Sequence, residues 1–136
     1  MKRYVREPGT ALVRRLLAES SPATSRFSEV EVASAVARRS REGTLSIAGR
    51  DRVLRAWVAD LQALHLVEVT DETAGIARAM LLRHALGAGD AVQLASCLIL
   101  QQSLRTPVPM VPFDDRLREA EATSNNWTSY TTSAIL

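Results

Sequence analysis

The chain has 136 residues, of which 46% are hydrophobic and 24% are charged, and its formal net charge is +2. This length suits a single domain that buries roughly two-thirds of its unfolded surface. No apolar run approaches the roughly 20 residues that a bilayer requires, which excludes a membrane-spanning segment. The first ten residues lack the apolar centre of a signal peptide, and Cys97 is the only cysteine, so we expect a cytoplasmic protein with a reduced, buried thiol.

Taken in chain order, the hydrophobic pattern alternates between helices and short strands. The predicted helices are Thr10–Ser20, Glu29–Glu42, Ala48–Leu64, Asp71–Ala85, Asp90–Gln102 and Asp115–Ala122, and the predicted strands are Thr24–Phe27, Leu66–Val69 and Val108–Val111. This order favours one α/β domain over residues 1–136 with a parallel sheet. The helix Asp90–Gln102 is apolar nearly all round and is expected to be buried. The polar tail, residues 123–136, is expected to be an edge strand or disordered.

The two halves of the chain differ in charge. Up to Arg55 there are 12 basic and 6 acidic residues, a balance of +6, and after it there are 5 and 9, a balance of −4. The basic half is almost all arginine, which suits bidentate contacts with phosphate. Solvated helix faces explain the same pattern, so charge alone does not establish a nucleic-acid surface.

Each prominent acidic residue has a simple structural explanation as a helix cap. Asp90-Ala-Val-Gln93 has the pattern of a capping box, and Ser28-Glu-Val-Glu31 has the same pattern. Asp114 is placed to cap the last helix, with Asp115 beside it in the field of the helix dipole. Taken singly, each of these residues is more typical of a cap than of a ligand.

The order of the predicted elements changes this interpretation for some of the acids. The strand Thr24–Phe27 brings Glu31 to the first turn of the next helix, and the strand Val108–Val111 brings Asp114 and Asp115 into a similar position. Because parallel strands end at one edge of a sheet, these acids are expected to converge there. Asp90 follows a helix, so this reasoning does not place it at that edge.

Carboxylates that meet in this way repel one another unless a cation compensates their charge. Mg²⁺ prefers oxygen ligands and activates phosphoryl groups or water, so a converging cluster indicates phosphodiester hydrolysis. His65 and His84 lack the spacing of zinc ligands and are expected at helix ends. There is no Walker loop, and no nucleophile elbow supports a Ser-His-Asp triad.

Three segments of the chain occur in a recognisable order and spacing: EVEVASAVARRSREG, LGAGDAVQLASCLIL and VPFDDRL. Together they resemble the PIN-domain ribonucleases, in particular the VapC-type toxins of toxin–antitoxin pairs, and the resemblance runs from about Tyr4 to Ala122. It implies a three-layer α/β/α fold with a small parallel sheet flanked by helices. It also implies an endoribonuclease that depends on Mg²⁺ or Mn²⁺, and partners that include RNA, a cognate antitoxin and a second copy of the chain.

The resemblance also implies roles for particular residues. Glu31, followed by Ser34 and Ala35, matches the family's glutamate, Asp90 with Ala91 matches its aspartate at a helix start, and Asp114 before Leu117 matches its final acid. These three acids are expected to be catalytic and to bind the metal, with Asp115 as a further ligand. Relatives often have histidine at the position of Gln93. Candidate contacts with RNA phosphates are Arg38, Arg39 and Arg41.

One feature of the family is expected to be absent. Relatives begin with a strand that ends in an Asp-Ser/Thr-Ala-Leu motif and is followed by a stretch like KRYVREPGT, the stretch with which this chain begins. Without that strand and its aspartate, the chain could instead be a catalytically impaired PIN-like scaffold that binds an antitoxin or itself. A third hypothesis is a helical DNA-binding or adaptor domain whose acids are all caps. It predicts no strand pairing after Thr24 or Val108.

Overall fold

The computed structural model describes residues 21–108 and residue 110. Within these residues the chain forms two strands and four helices. In chain order they are β1 (Ala23–Ser25), α1 (Ser28–Arg41), α2 (Ile47–Leu61), β2 (His65–Val67), α3 (Asp71–Arg83) and α4 (Ala88–Leu104). The four predicted helices and the first two predicted strands in this part of the chain are therefore confirmed in type and order, with ends that differ by a few residues.

The two strands pair in parallel. Thr24 lies opposite Leu66 in the register, and the N–H of Arg26 donates to the carbonyl of Val67 over 2.8 Å. Parallel neighbours require a crossover connection, which α1 and α2 supply. This pairing confirms the predicted α/β class, and it makes the all-helical DNA-binding or adaptor hypothesis wrong.

Helix α4 packs against both the sheet and α3, as its apolar sequence predicts. Ala91, Leu94 and Ala95 are fully buried in it. Further along the helix, Cys97 and Leu100 join a cluster with residues of both strands and with Val108. Cys97 is buried and forms no disulfide, as predicted. Since α4 is buried along most of its length, its orientation is fixed by packing on several sides.

The other helices begin and end for local reasons. Ser46 caps α2 by accepting a hydrogen bond from the N–H of Gly49 over 3.0 Å, and Thr70 forms a reciprocal capping box with Thr73 at the start of α3. Helices α1 and α2 pack through a cluster that contains Val36 and Val53. These caps and contacts set the positions of the helices around the sheet.

Several predictions lie outside the described residues. They concern the helices Thr10–Ser20 and Asp115–Ala122, the polar tail, and the acids Asp114 and Asp115. Of the predicted third strand, Val108 is described as buried coil and Met110 as a single bridge residue. None of the helices in the described part of the chain is long and apolar enough to cross a membrane.

Candidate active site

Glu31 lies in the first turn of α1, immediately beyond the end of β1. The chain leaves the strand at Ser25, turns through two residues and enters the helix at Ser28. The predicted capping box at Ser28 is wrong, because Ser28 is already helical and the N-cap residue, Phe27, makes no side-chain cap. The hydroxyl of Ser28 instead lies 2.7 Å from the hydroxyl of Thr24 and accepts a 2.7 Å hydrogen bond from Gln93.

Asp90 lies in the first turn of α4, but it is not the N-cap. The helix begins at Ala88, with Gly87 as the N-cap residue and no side-chain cap. The predicted capping box of Asp90 and Gln93 is therefore wrong. The segment Gly87-Ala88-Gly89 lets the helix start at Ala88, two residues before the predicted start at Asp90. The side chain of Gln93 then makes its hydrogen bonds with α1 and not with the start of its own helix. Asp90 remains where the helix dipole favours a negative charge.

The first turns of α1 and α4 meet at Glu31. Its Oε2 accepts a 2.8 Å hydrogen bond from Nε2 of Gln93, and its Oε1 lies so close to Gly89 that a Cβ there would collide with it. Residues three apart on a helix share a face, so Asp90 and Gln93 face the same way on α4. Because Glu31 contacts Gly89 and Gln93, which flank Asp90 in the sequence, both acids lie at the same end of α4.

Neither acid is neutralised by a basic side chain within residues 21–108 and 110. Glu31 accepts from the neutral amide of Gln93, and Asp90 has no ion pair with any described residue. Both side chains are half-buried. An arrangement with two carboxylates at one helix N-terminus suits a hard cation, which takes oxygen ligands.

The neighbouring acids Glu29 and Glu68 differ from Glu31 in that they share a basic partner, Arg26. Arg26 lies 2.5 Å from Glu29 and 2.6 Å from Glu68, with a second nitrogen 3.2 Å from Glu68. The hydrogen bond from Arg26 lowers the pKa of Glu68. The pKa of Arg26 is raised, mainly by its hydrogen bond to Glu68 and to a smaller extent by the one to Glu29. These acids also follow the strands, but Arg26 occupies their oxygens.

The donor set that the described residues supply fits a divalent cation in part. Glu31 and Asp90 are oxygen donors of the type that Mg²⁺ and Mn²⁺ accept. Across the described ranges there is no group of three or more His, Cys, Asp or Glu residues that could hold a metal. The other predicted ligands, Asp114 and Asp115, lie outside these ranges. His84 is the C-cap of α3 as predicted, whereas His65 begins β2, so its predicted place at a helix end is wrong.

The three candidate arginines lie in the last turns of α1. Arg38 and Arg41 are exposed, whereas Arg39 is half-buried and its carbonyl accepts from the N–H groups of Thr44 and Leu45. Arg38 follows Glu31 by two helical turns, so it lies on the same face about 10 Å along the axis. Of the three, Arg38 is therefore the best aligned with the acids.

Three residues of this site were not recognised as such in the sequence: Ser28, Gly89 and Gln93. In the sequence, Ser28 and Gln93 fit the pattern of capping boxes, and nothing gives Gly89 a role. One signal was available, since a long polar amide in a helix that is otherwise apolar must find hydrogen-bond partners. Which partners it finds depends on the packing of α4 against α1.

The fold is that of an α/β domain with a parallel sheet, in which two acids without a basic partner among residues 21–108 and 110 lie at one end of α4, as a metal-dependent nuclease would require. Comparison with known families gives the same result: the chain matches the model of the PIN domain over residues 4–122. The chain belongs to the PIN domain family, a nuclease superfamily whose members generally cleave nucleic acid with divalent metal ions. No curated protein matches the sequence.

Proposed function

We propose that this protein is an endoribonuclease of the VapC toxin type that uses Mg²⁺ or Mn²⁺. The observation that carries the proposal is that Glu31 contacts Gly89 and Gln93, on either side of Asp90 in the sequence at the N-terminus of α4, and that neither acid has a basic partner among the described residues. The sequence motifs around these two acids are those on which the resemblance to such toxins depends. A cognate antitoxin, a second copy of the chain and a cytoplasmic location belong to the same proposal.

Each acid has a defined task in the proposed reaction. Glu31 and Asp90 hold the cation together with Asp114, and Asp115 is a further ligand. A bound divalent cation supplies electrophilic activation of a phosphoryl oxygen and lowers the pKa of a bound water. Gln93 donates a hydrogen bond to Oε2 of Glu31, and the other carboxylate oxygen, Oε1, lies against α4 at Gly89. Arg38, exposed on the face of Glu31, is placed to contact a phosphate of the substrate backbone.

The function is tested by measuring cleavage of single-stranded RNA and DNA with Mn²⁺, Mg²⁺ or EDTA. We expect cleavage of RNA with either metal and none with EDTA. Glu31→Gln and Asp90→Asn should each lower the rate by more than about 100-fold. This exceeds the loss that is usual when a residue that only hydrogen-bonds to a metal ligand is removed. Arg38→Ala should weaken RNA binding and reduce its salt dependence.

Glu29→Gln is the matched control, because Glu29 lies in the same helical turn as Glu31 but pairs with Arg26. It should retain the rate of the unaltered protein. Equal rates for Glu31→Gln, Asp90→Asn and the unaltered protein, or full activity in EDTA, would contradict the proposal. If RNA is not cleaved and Mn²⁺ does not raise the melting temperature, the scaffold hypothesis is favoured instead.

A further inference from the structure

Gln93 joins α4 to the first turn of α1 through both hydrogens of its side-chain amide. Its Nε2 donates to Oγ of Ser28 over 2.7 Å and to Oε2 of Glu31 over 2.8 Å. These contacts link residues 65 and 62 positions apart in the sequence. The amide group has two N–H bonds, so its whole donor capacity is directed to these two oxygens.

The orientation of the amide follows from the chemistry of its partner. An ionised carboxylate only accepts hydrogen bonds, so the NH₂ group and not the carbonyl has to face Glu31. With this orientation Oε1 of Gln93 is buried and has no hydrogen-bond partner among residues 21–108 and 110. An unpaired buried acceptor costs stability. The orientation of this side chain is therefore determined by the two hydrogen bonds that its N–H groups donate, at the expense of its oxygen.

Ser28 holds Gln93 in turn. The hydroxyl of Ser28 is buried, and it lies 2.7 Å from that of Thr24, which belongs to β1. The result is a chain of hydrogen bonds from the sheet, through the start of α1, to α4. Buried networks of this kind restrict side-chain orientation, because each member is fixed by the next.

The other side of Glu31 is set by Gly89. Oε1 of Glu31 lies where a Cβ at position 89 would be, and the ring of Phe27 closes the same space. The carboxylate is thus confined between the amide of Gln93 and the backbone of α4. Since neither contact carries a positive charge, Glu31 is oriented without being neutralised.

We propose that Gln93 is a positioning residue, which orients the carboxylate of Glu31 toward the first turn of α4 while leaving its negative charge available to a cation. This inference rests on the proposed function, since it concerns the same acid. Gln93 acts through Glu31 and needs no contact with the metal. Loss of an outer hydrogen-bond partner of a metal ligand typically weakens binding or activity by about 10–100-fold.

The experiment measures the affinity for Mn²⁺ by titration calorimetry of the full chain. Gln93→Met keeps the length and packing of the side chain but removes both donors, and it should weaken Mn²⁺ binding by about 10-fold or more. Ser28→Ala should weaken it less. Combining Gln93→Met with Glu31→Gln should give no loss beyond that of Glu31→Gln alone, because the amide acts only through Glu31.

Gln101→Met is the matched control for damage to α4. Gln101 lies on the same helix, is buried, and donates to the carbonyl of Val108 over 2.8 Å, away from the acids. This variant should unfold at a lower urea concentration, because it leaves that carbonyl with only the weak thiol donor of Cys97, but bind Mn²⁺ normally. If Gln101→Met weakens Mn²⁺ binding as much as Gln93→Met does, the effect is one of general stability and the inference is overturned.

A measurement without metal separates failure of this inference from failure of the proposed function. Urea unfolding of Gln93→Met, Glu31→Ala and the double variant should show non-additive midpoints. If Mn²⁺ binds and Glu31→Gln abolishes binding but Gln93→Met does not weaken it, the inference fails and the function stands. If Mn²⁺ does not bind at all, the function fails. In that case the urea midpoints test the inference by themselves. If the effects of Gln93→Met and Glu31→Ala add up in the double variant, the positioning of Glu31 by Gln93 is overturned, and if they do not add up, it is supported.

Discussion

Two acids in the same turn of α1 have opposite environments. Glu29 is part of an exposed cluster in which Arg26 also binds Glu68, and their side chains are 44% (Arg26), 39% (Glu29) and 61% (Glu68) exposed. Glu31, two residues later, is half-buried and accepts from the neutral amide of Gln93. The first acid is paired with a positive charge, and the second is oriented by an uncharged donor.

This difference shows how one edge of a sheet can serve two purposes. The ion pair between Arg26 and Glu68 connects the turn after β1 with the residue that follows β2, at the end of the strand pairing. Arg26 offsets one of the two negative charges and forms hydrogen bonds with both carboxylates, so the cluster attracts a cation less than two unpaired acids would. The carboxylate of Glu31 accepts from a neutral amide and has no basic partner among the described residues, which suits a divalent ion that takes oxygen ligands.

The largest effect is expected when Glu31 is given the environment of Glu29. Gln93→Lys places an ammonium group beside the carboxylate, and this charge should compete directly with a divalent cation. We expect the affinity for Mn²⁺ to fall by more than about 100-fold, beyond the loss caused by removing a neutral outer partner. Titration calorimetry measures this. An affinity equal to that of Gln93→Met would show that charge at this position is irrelevant.

A smaller effect is expected when the space for Glu31 is reduced. Gly89→Ala places a methyl group where Oε1 of Glu31 lies, and the side chain has to move. Alanine favours helix by up to about 1 kcal/mol over glycine, so the free energy of unfolding should stay level or rise. The affinity for Mn²⁺ should fall by about 10-fold, like that of other disturbed ligands.

Gly75→Ala is the control for this change, because Gly75 lies in α3 with open space where a Cβ would be. It should raise the unfolding midpoint and leave the affinity for Mn²⁺ unchanged. If both glycine variants gain stability and neither loses affinity, the close contact between Gly89 and Glu31 has no role in metal binding.

The smallest effect is expected in the cluster of Arg26. Because Arg26 lowers the pKa of Glu68 in the folded state, the pair stabilises the fold above the ordinary pKa of 4.5, and this contribution is lost as the pH falls through the lower, folded value. Glu68→Gln should therefore lower the urea midpoint slightly at pH 7, and the difference should disappear at strongly acidic pH. Exposure makes the effect small. Its affinity for Mn²⁺ at pH 7 should equal that of the unaltered protein.

Much of the fold was predictable because it depends on local patterns. Alternating helices and short apolar strands indicated a parallel α/β sheet, and the apolar sequence of α4 indicated a buried helix. Both predictions are confirmed. The position of Glu31 just after β1 was predictable for the same reason, since it needs only a strand followed by a helix. The predicted ligands Asp114 and Asp115 lie outside the described residues and stay predictions.

The surroundings of the acids were not predictable in this way. Asp90-Ala-Val-Gln93 and Ser28-Glu-Val-Glu31 both satisfy a capping pattern, yet neither forms a capping box in the structure. A local pattern identifies a bond that a side chain can make with its own helix. It does not identify a partner on another helix, and Gln93 has such a partner in Glu31 of α1.

The sequence by itself determined which segments fold into helices and strands, because periodicity and chain order decide which faces must be buried. Only the tertiary structure decided that the starts of α1 and α4 lie side by side. Burial of α4 against β1 and α3 fixes its direction, and that direction brings Gln93 to Glu31 and places Asp90 at the same end of the helix. The site depends on contacts between residues far apart in the chain, and such contacts leave no periodic signal in the sequence.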